Sequence, residues 1–307
     1  MEYRHTPVLL DKVIAIAEPK AGDKIVDCTL GGAGYSLALA KIAGKGKVLG
    51  IDADSLAIKH AEELIKKNKI KNLVLVEGNF KDLSQLALPD FNQADVVVMD
   101  LGLSSAQLDD PRRGFSFQGD TPLNMAFAAE EENKTQVIVN HYRAEDLAKI
   151  IKEYGEERFA GRIAKNIVKA RPLKTTGELV EAIRQAVPAA YRHQKLHFAT
   201  RTFQALRVAT NHELDALTKA LPQAFQLLKA GGRLAVVSFH SLEDRIVKNY
   251  FRDLAAGCHC PKNAPICICS GKPYAKLLTK KAVIADDGAI KNNPRARSAK
   301  LRVLIKL

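Results

Sequence analysis

The sequence has no apolar run of the roughly 20 residues that a membrane-spanning helix needs. Its first residues, MEYRHTPVLLDKV, include acids and lack the apolar core of a secretion signal, so we expect a cytoplasmic protein without a membrane partner. Cysteines number only five, and an odd count is not typical of a disulfide framework. Tryptophan is absent. These absences argue against membrane-spanning proteins and against small secreted domains held together by disulfides.

Acidic residues are scarce relative to basic ones, with 34 Asp and Glu against 47 Lys and Arg, which gives a net charge of +13. Such a surplus suits a polyanionic partner, either nucleic acid or an anionic membrane surface. A basic soluble protein without such a partner would have the same composition. Hydrophobic residues make up 47% of the 307 residues, which is enough for one large domain or two ordinary ones.

Residues 24–54 organise the rest of the chain and read KIVDCTLGGAGYSLALAKIAGKGKVLGIDAD. They predict a strand that ends in Asp27, a glycine-rich loop, a helix, and a second strand that ends in Asp52. Glycines in such a loop let the backbone turn sharply or approach a ligand closely. A carboxylate about 20 residues after a glycine-rich loop is the arrangement that binds the ribose hydroxyls of a nucleoside cofactor. The alternative is a tight connection without a ligand.

The cofactor that this segment predicts is S-adenosylmethionine (SAM) rather than a dinucleotide. The dinucleotide fingerprint is G-x-G-x-x-G, and in the frame that starts at Gly32 the third glycine is replaced by Leu37. Asp27 closes the strand just before the loop, where a carboxylate is unfavourable beside a pyrophosphate but suits an ammonium or sulfonium group. SAM carries both of these cations and no phosphate.

Further strand-like segments alternate with helical ones and predict an α/β fold with a parallel sheet. They lie at residues 73–76, 94–99, 233–238 and 300–305. Ligands of such sheets bind outside the carboxyl ends of the strands, which predicts one shared site there. The side chains that fall at those ends are Asp27, Asp52, Phe80 and Asp100. Taken singly, each acid could be a helix cap or a turn residue, and the phenylalanine a core residue.

Residues 100–117, DLGLSSAQLDDPRRGFSF, predict a long polar loop, and loops of this length are usually functional or disordered. Arg112 and Arg113 occur there with Phe115 and Phe117. Arginines and aromatic rings are the residues that contact phosphates and stack on bases, so we favour a functional loop. Ordinary turn chemistry is the alternative.

Residues 121–207 predict helices without a strong strand, which we interpret as an inserted domain that grips RNA. Arg158, Arg162, Lys165 and Lys169 follow i, i+4, i+7, i+11 spacing and therefore share one helix face. A solvated charged face is the alternative. Arg201 is predicted to hold phosphate, as is Arg207, although both could instead pair with helix acids. Other basic residues in the same region are Arg171, Lys174, Arg184, Arg192, His193 and Lys195.

Several long motifs give the chain a resemblance to a known family. They are HTPVLLDKV at 5–13, DCTLGGAGYS at 27–36, GIDAD at 50–54, DLGLSSAQLDDPRRGFSF at 100–117, YGEERFAGRIAKNIV at 154–168, HFATRTFQALR at 197–207, SFHSLEDRIVK at 238–248 and NPRARSAKLRV at 293–303. Over nearly its whole length the chain resembles the bacterial RsmH (MraW) family of small-subunit rRNA methyltransferases, whose product is N4-methylcytidine. It departs from the family's usual PLDMRM, because residues 122–127 read PLNMAF.

The resemblance implies a class I SAM-dependent methyltransferase fold, Rossmann-like with a mostly parallel sheet, and an inserted all-helical substrate-recognition domain. We expect methyltransferase parts at 1–117 and 208–307, a flexible cysteine-containing segment at 257–292, and the inserted domain at 118–207. The resemblance implies S-adenosyl-L-methionine as the cofactor and 16S rRNA, or the small ribosomal subunit, as the partner. The cofactor contacts that it implies are Ala33, Gly34, Tyr35, Asp52, Phe80, Asp100 and Gln107.

The reaction that the resemblance implies is methyl transfer to the N4 amine of a specific cytidine in the decoding region of 16S rRNA, with another structured RNA as the alternative substrate. The lone pair of this amine is delocalised into the ring, so an acceptor has to draw on its N–H, and we predict Asp100 for that catalytic role. Methylation at ring C5 would need a cysteine nucleophile near the end of the strand that carries Asp100. Cys28 lies under the glycine loop instead, so methylation at C5 is disfavoured. His240 is interpreted as a structural histidine rather than a general base.

Cys258, Cys260, Cys267 and Cys269 form the pattern C-x-C-x6-C-x-C. Four neighbouring thiols could hold zinc, but C-x-C is tighter than the usual C-x2-C, so we predict a flexible segment without a metal. Two other function classes compete with the methyltransferase interpretation. A dinucleotide oxidoreductase would bind NAD rather than SAM, and a non-catalytic RNA-binding scaffold would tolerate the loss of the acids at the strand ends.

Overall fold

The computed structural model describes residues 7–307 except 88, 118, 129–132, 259, 261–265, 267 and 269–270. The chain divides into two compact units. The first, which we name the sheet unit, consists of Met1–Gly102 and Leu214–Leu307. The second, the helical unit, is the intervening Leu103–Glu213. None of the described helices is both long enough and apolar enough to cross a membrane.

The strands of the described residues all lie in the sheet unit. They are β1 (Lys24–Asp27), β2 (Lys47–Asp52), β3 (Leu73–Glu77), β4 (Ala94–Asp100), β5 (Leu228–Ser238), β6 (Ala275–Leu277), β7 (Val283–Ile284) and β8 (Lys300–Lys306).

The helices are numbered along the whole chain. They are α1 (Leu10–Ala17), α2 (Gly34–Ala43), α3 (Ser55–Asn68), α4 (Leu83–Leu86), α5 (Ser105–Asp109), α6 (Lys134–His141), α7 (Ala144–Gly155), α8 (Ala160–Ala170), α9 (Thr176–Ala186), α10 (Ala189–Arg192), α11 (Thr200–Asn211), α12 (Glu213–Leu227), α13 (Ser241–Leu254) and α14 (Asp287–Asn292). Short 3₁₀ turns lie at Phe80–Asp82, Pro89–Phe91, Pro111–Arg113 and Pro294–Ser298.

The sheet has the strand order β3-β2-β1-β4-β5-β8-β6, with β7 also paired to β8. β1 to β5 run parallel, and β8 lies antiparallel to β5. The predicted α/β fold with a mostly parallel sheet is therefore confirmed. The strand order reverses between β1 and β4, because β2 and β3 follow on one side and β5 on the other. Such a switch point opens a crevice at the carboxyl ends of the strands, where α/β proteins bind ligands.

The sequence of β4 explains why the sheet is covered on both faces. Its residues from Val96 to Met99 are apolar and at most 2% exposed. Successive side chains of a strand point to opposite faces. Val97 and Met99 accordingly pack in a core cluster with α12 and α13, whereas Val96 and Val98 pack in another with α1 and α2. A near-continuous apolar strand thus requires helices on both sides.

The helical unit has its own hydrophobic core, to which α7, α8, α9 and α11 contribute. The helix α9 begins with a capping box, in which the hydroxyl of Thr175 accepts from the N–H of Glu178 and the carboxylate of Glu178 accepts from the N–H of Thr175. Within the described part of this unit, the strand-like pairing is limited to one isolated bridge between Pro122 and Thr175. This agrees with the run of helices predicted from the sequence.

The borders of the units differ from the expected domain borders at 117/118 and 207/208. They lie at Gly102/Leu103 and Glu213/Leu214 instead. The physical reason is packing: Leu103, Leu108 and Phe117 contact the core of the helical unit, and α11 continues to Asn211.

Two segments have more regular structure than the sequence predicts. The expected loop at 100–117 contains the helix α5, because Ser104 and Gln107 form a capping box at its start. The strand β5 begins at Leu228 rather than at Arg233. Its first residue pairs with Ala94, and the register then shifts before Arg233 pairs with Val96, so the pairing with β4 is irregular over the intervening residues.

Candidate active site and nucleic-acid interface

Asp27 ends β1 and is fully buried. Its Oδ2 accepts a hydrogen bond from the hydroxyl of Ser36 at 2.6 Å, and its Oδ1 accepts from the N–H of Thr29 at 3.1 Å. Burial raises the pKa of Asp27 to about 6. Both oxygens are therefore engaged within the loop, and the side chain ties β1 to α2. The expected contact of Asp27 with a cationic ligand stays a prediction.

Asp52 ends β2 and binds the glycine-rich loop. Its Oδ2 accepts from the N–H of Gly31 at 2.7 Å, and its Oδ1 accepts from the N–H of Asp54 at 2.9 Å. Burial is also the main reason that the pKa of Asp52 rises to about 6. Each carboxylate oxygen can accept a second hydrogen bond. The half-buried carboxyl of Asp52 thus has acceptor capacity left for ribose hydroxyls.

The loop residues Ala33, Gly34 and Tyr35 are held by close contacts. Ala33 is buried with a φ of +61°, and the helix α2 begins directly after it. A Cβ atom at Gly34 would collide with the ring of Pro7. The buried hydroxyl of Tyr35 donates to the carbonyl of Val8. These side chains shape the loop, so the groups suited to a ligand are backbone N–H groups at the start of α2, which lack intrahelical partners.

Asp100 ends β4, next to β1 at the switch point. Its N–H donates to the hydroxyl of Thr29 at 2.6 Å. Its side-chain Oδ1 is buried and has no hydrogen-bond partner among the described residues. Burial, together with the charges of Asp27 and Glu243, raises the pKa of Asp100 well above its usual range. An unpaired buried acceptor of this kind calls for a donor or a cation.

Phe80 starts the 3₁₀ turn that follows β3, and the side chain of Asn79 caps this turn by accepting from the N–H of Lys81 at 3.0 Å. The ring is only half-buried, with one part packed against the core of the sheet unit. β3 lies beside β2, so Phe80 stands at the strand end neighbouring Asp52. Both the predicted adenine contact and the alternative core role are compatible with this position.

Gln107 belongs to the helical unit, where it is 8% exposed. Its Oε1 accepts from the N–H of Ser104 at 3.0 Å, and its own N–H donates to the hydroxyl of Ser104 at 3.2 Å. The side chain therefore closes the first turn of α5.

His240 is the N-cap of α13, with a capping box to Glu243. The Oε2 of Glu243 accepts from the N–H of Phe239 at 2.8 Å and from that of His240 at 3.2 Å. This supports the interpretation of His240 as structural. The motifs did not single out Glu243, although it is 2% exposed and its charge acts on Asp100. The spacing of N-cap and acid in His240-x-x-Glu243 is the signal that could have found it.

In the helical unit, four predicted RNA contacts are exposed, and we name them the basic row: Arg158, Arg162, Lys165 and Lys169. The last three lie on α8, whereas Arg158 lies in the turn before this helix, so the predicted shared helix face does not include it. Within the described residues none of the four forms an ion pair with a carboxylate. The guanidinium of Arg158 lies over the rings of Phe159 and Tyr191, 4.8 Å and 4.9 Å from their centroids. From Arg162 to Lys169 the row extends about 10 Å along the helix, which is long enough to meet more than one phosphate.

The other predicted RNA contacts have partners of their own. Arg112 is exposed and pairs with Asp110 at 2.8 Å, and Arg113 donates to the carbonyl of Phe127 at 3.0 Å. Arg201 donates to the carbonyl of Glu156 at 3.3 Å.

Arg207 makes two hydrogen bonds to the carboxylate of Glu213, at 2.7 Å and 2.8 Å, and the two side chains are only 15% and 9% exposed. This geometry favours the alternative that Arg207 pairs with an acid, and it corrects the expectation of a phosphate contact. Phe115 is likewise a core residue, since it is 6% exposed.

The predicted cysteine cluster is described only in part. Cys258 is exposed and Cys260 is half-buried. Cys267 and Cys269 lie outside the described residues, so both the metal-free segment and the zinc alternative stay predictions.

The family model of the MraW methylase family matches residues 2–307. The chain belongs to the MraW methylase family. Its curated relatives include ribosomal RNA small subunit methyltransferase H of Clostridium botulinum (strain 657 / Type Ba4), which is 45% identical over 100% of both chains. The protein of the same name from Heliobacterium modesticaldum is 44% identical, also over 100% of both chains.

A solved rRNA methylase from Streptococcus thermophilus is 11% identical to this MraW-family chain, with a TM-score of 0.44 over 100% of this chain and 99% of that one. That likeness is too weak to carry an argument. The family assignment rests on the full-length match and on the identity to the curated relatives.

Proposed function

We propose that this MraW-family chain transfers a methyl group from S-adenosyl-L-methionine to the N4 amine of a specific cytidine in the decoding region of 16S rRNA. The observation that carries the proposal is the unpaired, buried Oδ1 of Asp100 at the switch point of the sheet. The names of the relatives support rRNA of the small subunit as the substrate. The exposed basic row of the helical unit supports a polyanionic partner.

The residues of the sheet unit fit this cofactor. Asp52 can accept from the ribose hydroxyls, and the first N–H groups of α2 suit the carboxylate of the methionine part. A carboxylate can accept several hydrogen bonds, so Asp100 can accept from the ammonium group of SAM and also from a target amine. When bound, SAM supplies an electrophilic methyl group on a sulfonium centre.

We assign to Asp100 the role of polarising the N–H of the target amine. Its carboxylate accepts a hydrogen bond from the N4 N–H and so returns electron density to the nitrogen. The raised pKa of Asp100 makes the ionised carboxylate a stronger acceptor, and neighbouring positive charge favours that ionised form. Its backbone bond to Thr29 holds the strand end in place.

The target cytidine has to be unpaired or flipped out, because a base inside a helix cannot present its amine to a recessed site. The basic row supplies the electrostatic contact that would hold the surrounding RNA. Its four cations have no acidic partner among the described residues, so a phosphate that binds them does not have to displace a carboxylate.

Mass spectrometry of small-subunit rRNA digests, from cells with and without the protein, tests the proposal. We expect one N4-methylcytidine that disappears without the protein and returns with the wild-type gene. An unchanged modification pattern would contradict it. Calorimetric titration with SAM and with NAD separates a methyltransferase from an oxidoreductase, since only SAM should bind.

A second candidate substrate is another structured RNA. It is favoured by the departure at 122–127, where Asn124 and Ala126 replace the acid and the arginine usual in the family. The Oδ1 of Asn124 is buried without a hydrogen-bond partner among the described residues. Mass spectrometry of the total RNA in the same two strains decides between the substrates.

A further inference from the structure

Three aromatic rings of the helical unit form a stack, which we name the aromatic column. The rings of Phe117 and His197 lie parallel, with centroids 4.5 Å apart and an interplanar angle of 7°. The ring of Phe198 lies 4.3 Å from that of His197, with an angle of 30°. Phe203, which is buried in α11, meets Phe117 edge-on at 5.6 Å. Phe117 and Phe198 both pack in part against the core of the helical unit, so the column is anchored at both outer rings.

The middle ring of the column is exposed, whereas the outer rings of Phe117 and Phe198 are half-buried. His197 is exposed, and the neighbouring Leu196 is 50% exposed. The Nδ1 of His197 accepts from the N–H of Ala199 at 3.3 Å, which orients the ring. Partial burial lowers the pKa of His197, so at neutral pH the ring is an uncharged aromatic surface rather than a cation.

Positive charge lies immediately before the column in the chain. His193 and Lys195 are exposed, and neither has an ion pair with a carboxylate among the described residues. An aromatic surface bordered by unpaired basic side chains is the arrangement that binds single-stranded nucleic acid, with bases on the rings and phosphates on the cations. A protein partner would instead call for acids and a larger apolar surface.

Phe117 and Phe198 cover the two faces of the His197 ring, and Phe203 closes the Phe117 end of the column. We propose that the aromatic column binds one unpaired base of the RNA by stacking on its outer ring, Phe198, with Lys195 on the adjoining phosphate. The inference rests on the proposed function, since it assumes an RNA substrate. It adds a base-binding site separate from the basic row, which holds only phosphates.

The absence of tryptophan from the chain allows a direct optical test. His197→Trp places a single reporter in the column, and Tyr142→Trp places one at a 40% exposed position elsewhere in the same unit. The probes are an unstructured 12-nucleotide RNA and an abasic chain of equal length. We expect the RNA to quench the fluorescence of His197→Trp by about half, whereas the abasic chain leaves it unchanged. Tyr142→Trp should respond to neither probe.

Binding measurements with His197→Ala separate stacking from charge. We expect its affinity for the RNA to fall about 10-fold, with the salt dependence unchanged, and His197→Tyr to restore it. Lys195→Ala should instead reduce the slope of log K against log salt by about 0.7.

Three outcomes would overturn the inference: wild-type affinity in His197→Ala, equal quenching by the abasic chain, or no quenching by the RNA. If His197→Ala binds normally while the rRNA is still methylated, only the base site fails. If the wild-type protein neither binds nor methylates rRNA, the proposed function fails as well.

Discussion

The sheet unit and the helical unit place their uncompensated charges in opposite ways. In the sheet unit, Asp52 and Asp100 are acids at the strand ends, and burial raises their pKa values, with no basic partner in the part of the chain that the structure describes. In the helical unit, the cations of the basic row are exposed without an acidic partner among the described residues. Buried acids suit a small cationic ligand, and exposed bases suit a long polyanion. This difference supports the proposal that the cofactor binds in the sheet unit and that the helical unit contacts the RNA backbone.

The largest expected effect concerns Asp100, one of the buried acids of the sheet unit. Asp100→Asn should lower the rate of methyl transfer at saturating SAM by about 100- to 1,000-fold, because an amide is a far weaker acceptor for the amine proton. The measurement is single-turnover transfer of labelled methyl groups to rRNA. Asp90→Asn, at an exposed acid paired with Lys47, serves as the control and should keep full activity. Full turnover in Asp100→Asn would break the assignment.

The next effect concerns a basic residue of the helical unit that does have an acidic partner. Arg207→Ala leaves the carboxylate of Glu213 buried without its guanidinium, so we expect the free energy of unfolding to fall by about 3 kcal/mol. Chemical denaturation measures it. Arg201→Ala on the same helix should change unfolding by less than about 1 kcal/mol, because its guanidinium has no carboxylate to leave behind. A stable Arg207→Ala protein with weakened RNA binding would return Arg207 to the phosphate contacts.

The pH dependence of cofactor binding tests Asp52. Its pKa in the folded protein is about 6, so the carboxylate is ionised above that pH and protonated below it. Ribose hydroxyls donate better to the ionised form, and we expect the dissociation constant for SAM to rise about 10-fold between pH 7 and pH 5.

Calorimetry across this range should show a flat profile for Asp52→Asn, with weaker binding throughout. Asp27 has the same pKa of about 6, but its oxygens are engaged within the loop. Asp27→Asn should therefore retain the dependence. A flat profile in Asp27→Asn and a sloped one in Asp52→Asn would reverse the roles of the two acids.

The smallest effect tests the basic row. Lys165→Ala and Lys169→Ala should each weaken rRNA binding a few-fold and reduce the slope of log K against log salt by about 0.7 to 0.9. Filter binding at several salt concentrations measures the slope. Arg184→Ala is the matched control, because Arg184 is exposed but already paired with Glu181 at 2.6 Å. If Arg184→Ala changed the slope equally, an ion pair with a carboxylate would not separate the cations that bind phosphate from those that do not.

The sequence predicted the features that depend on local pattern. The apolar run of β4 could be recognised because a strand buried on both faces has few polar positions. Asp27, Asp52 and Asp100 were expected at the carboxyl ends of their strands, and each is the last residue of its strand.

Features that depend on which way a side chain points could not be predicted. The engagement of Asp27 depends on Ser36, one turn into the next helix. The partner of Arg207 is six residues away, beyond His212 with its φ of +51°, so helical i, i+4 spacing does not reveal it.

The contact of Pro7 with Gly34 has a consequence for the evolution of the sequence. A residue larger than glycine at position 34 needs the space that the ring of Pro7 occupies. The proline cannot easily move away, because the hydroxyl of Tyr35 donates to the carbonyl of the next residue in the chain, Val8. We therefore expect positions 7 and 34 to covary as the gene evolves. A larger residue at one of them should be accompanied by a smaller residue at the other.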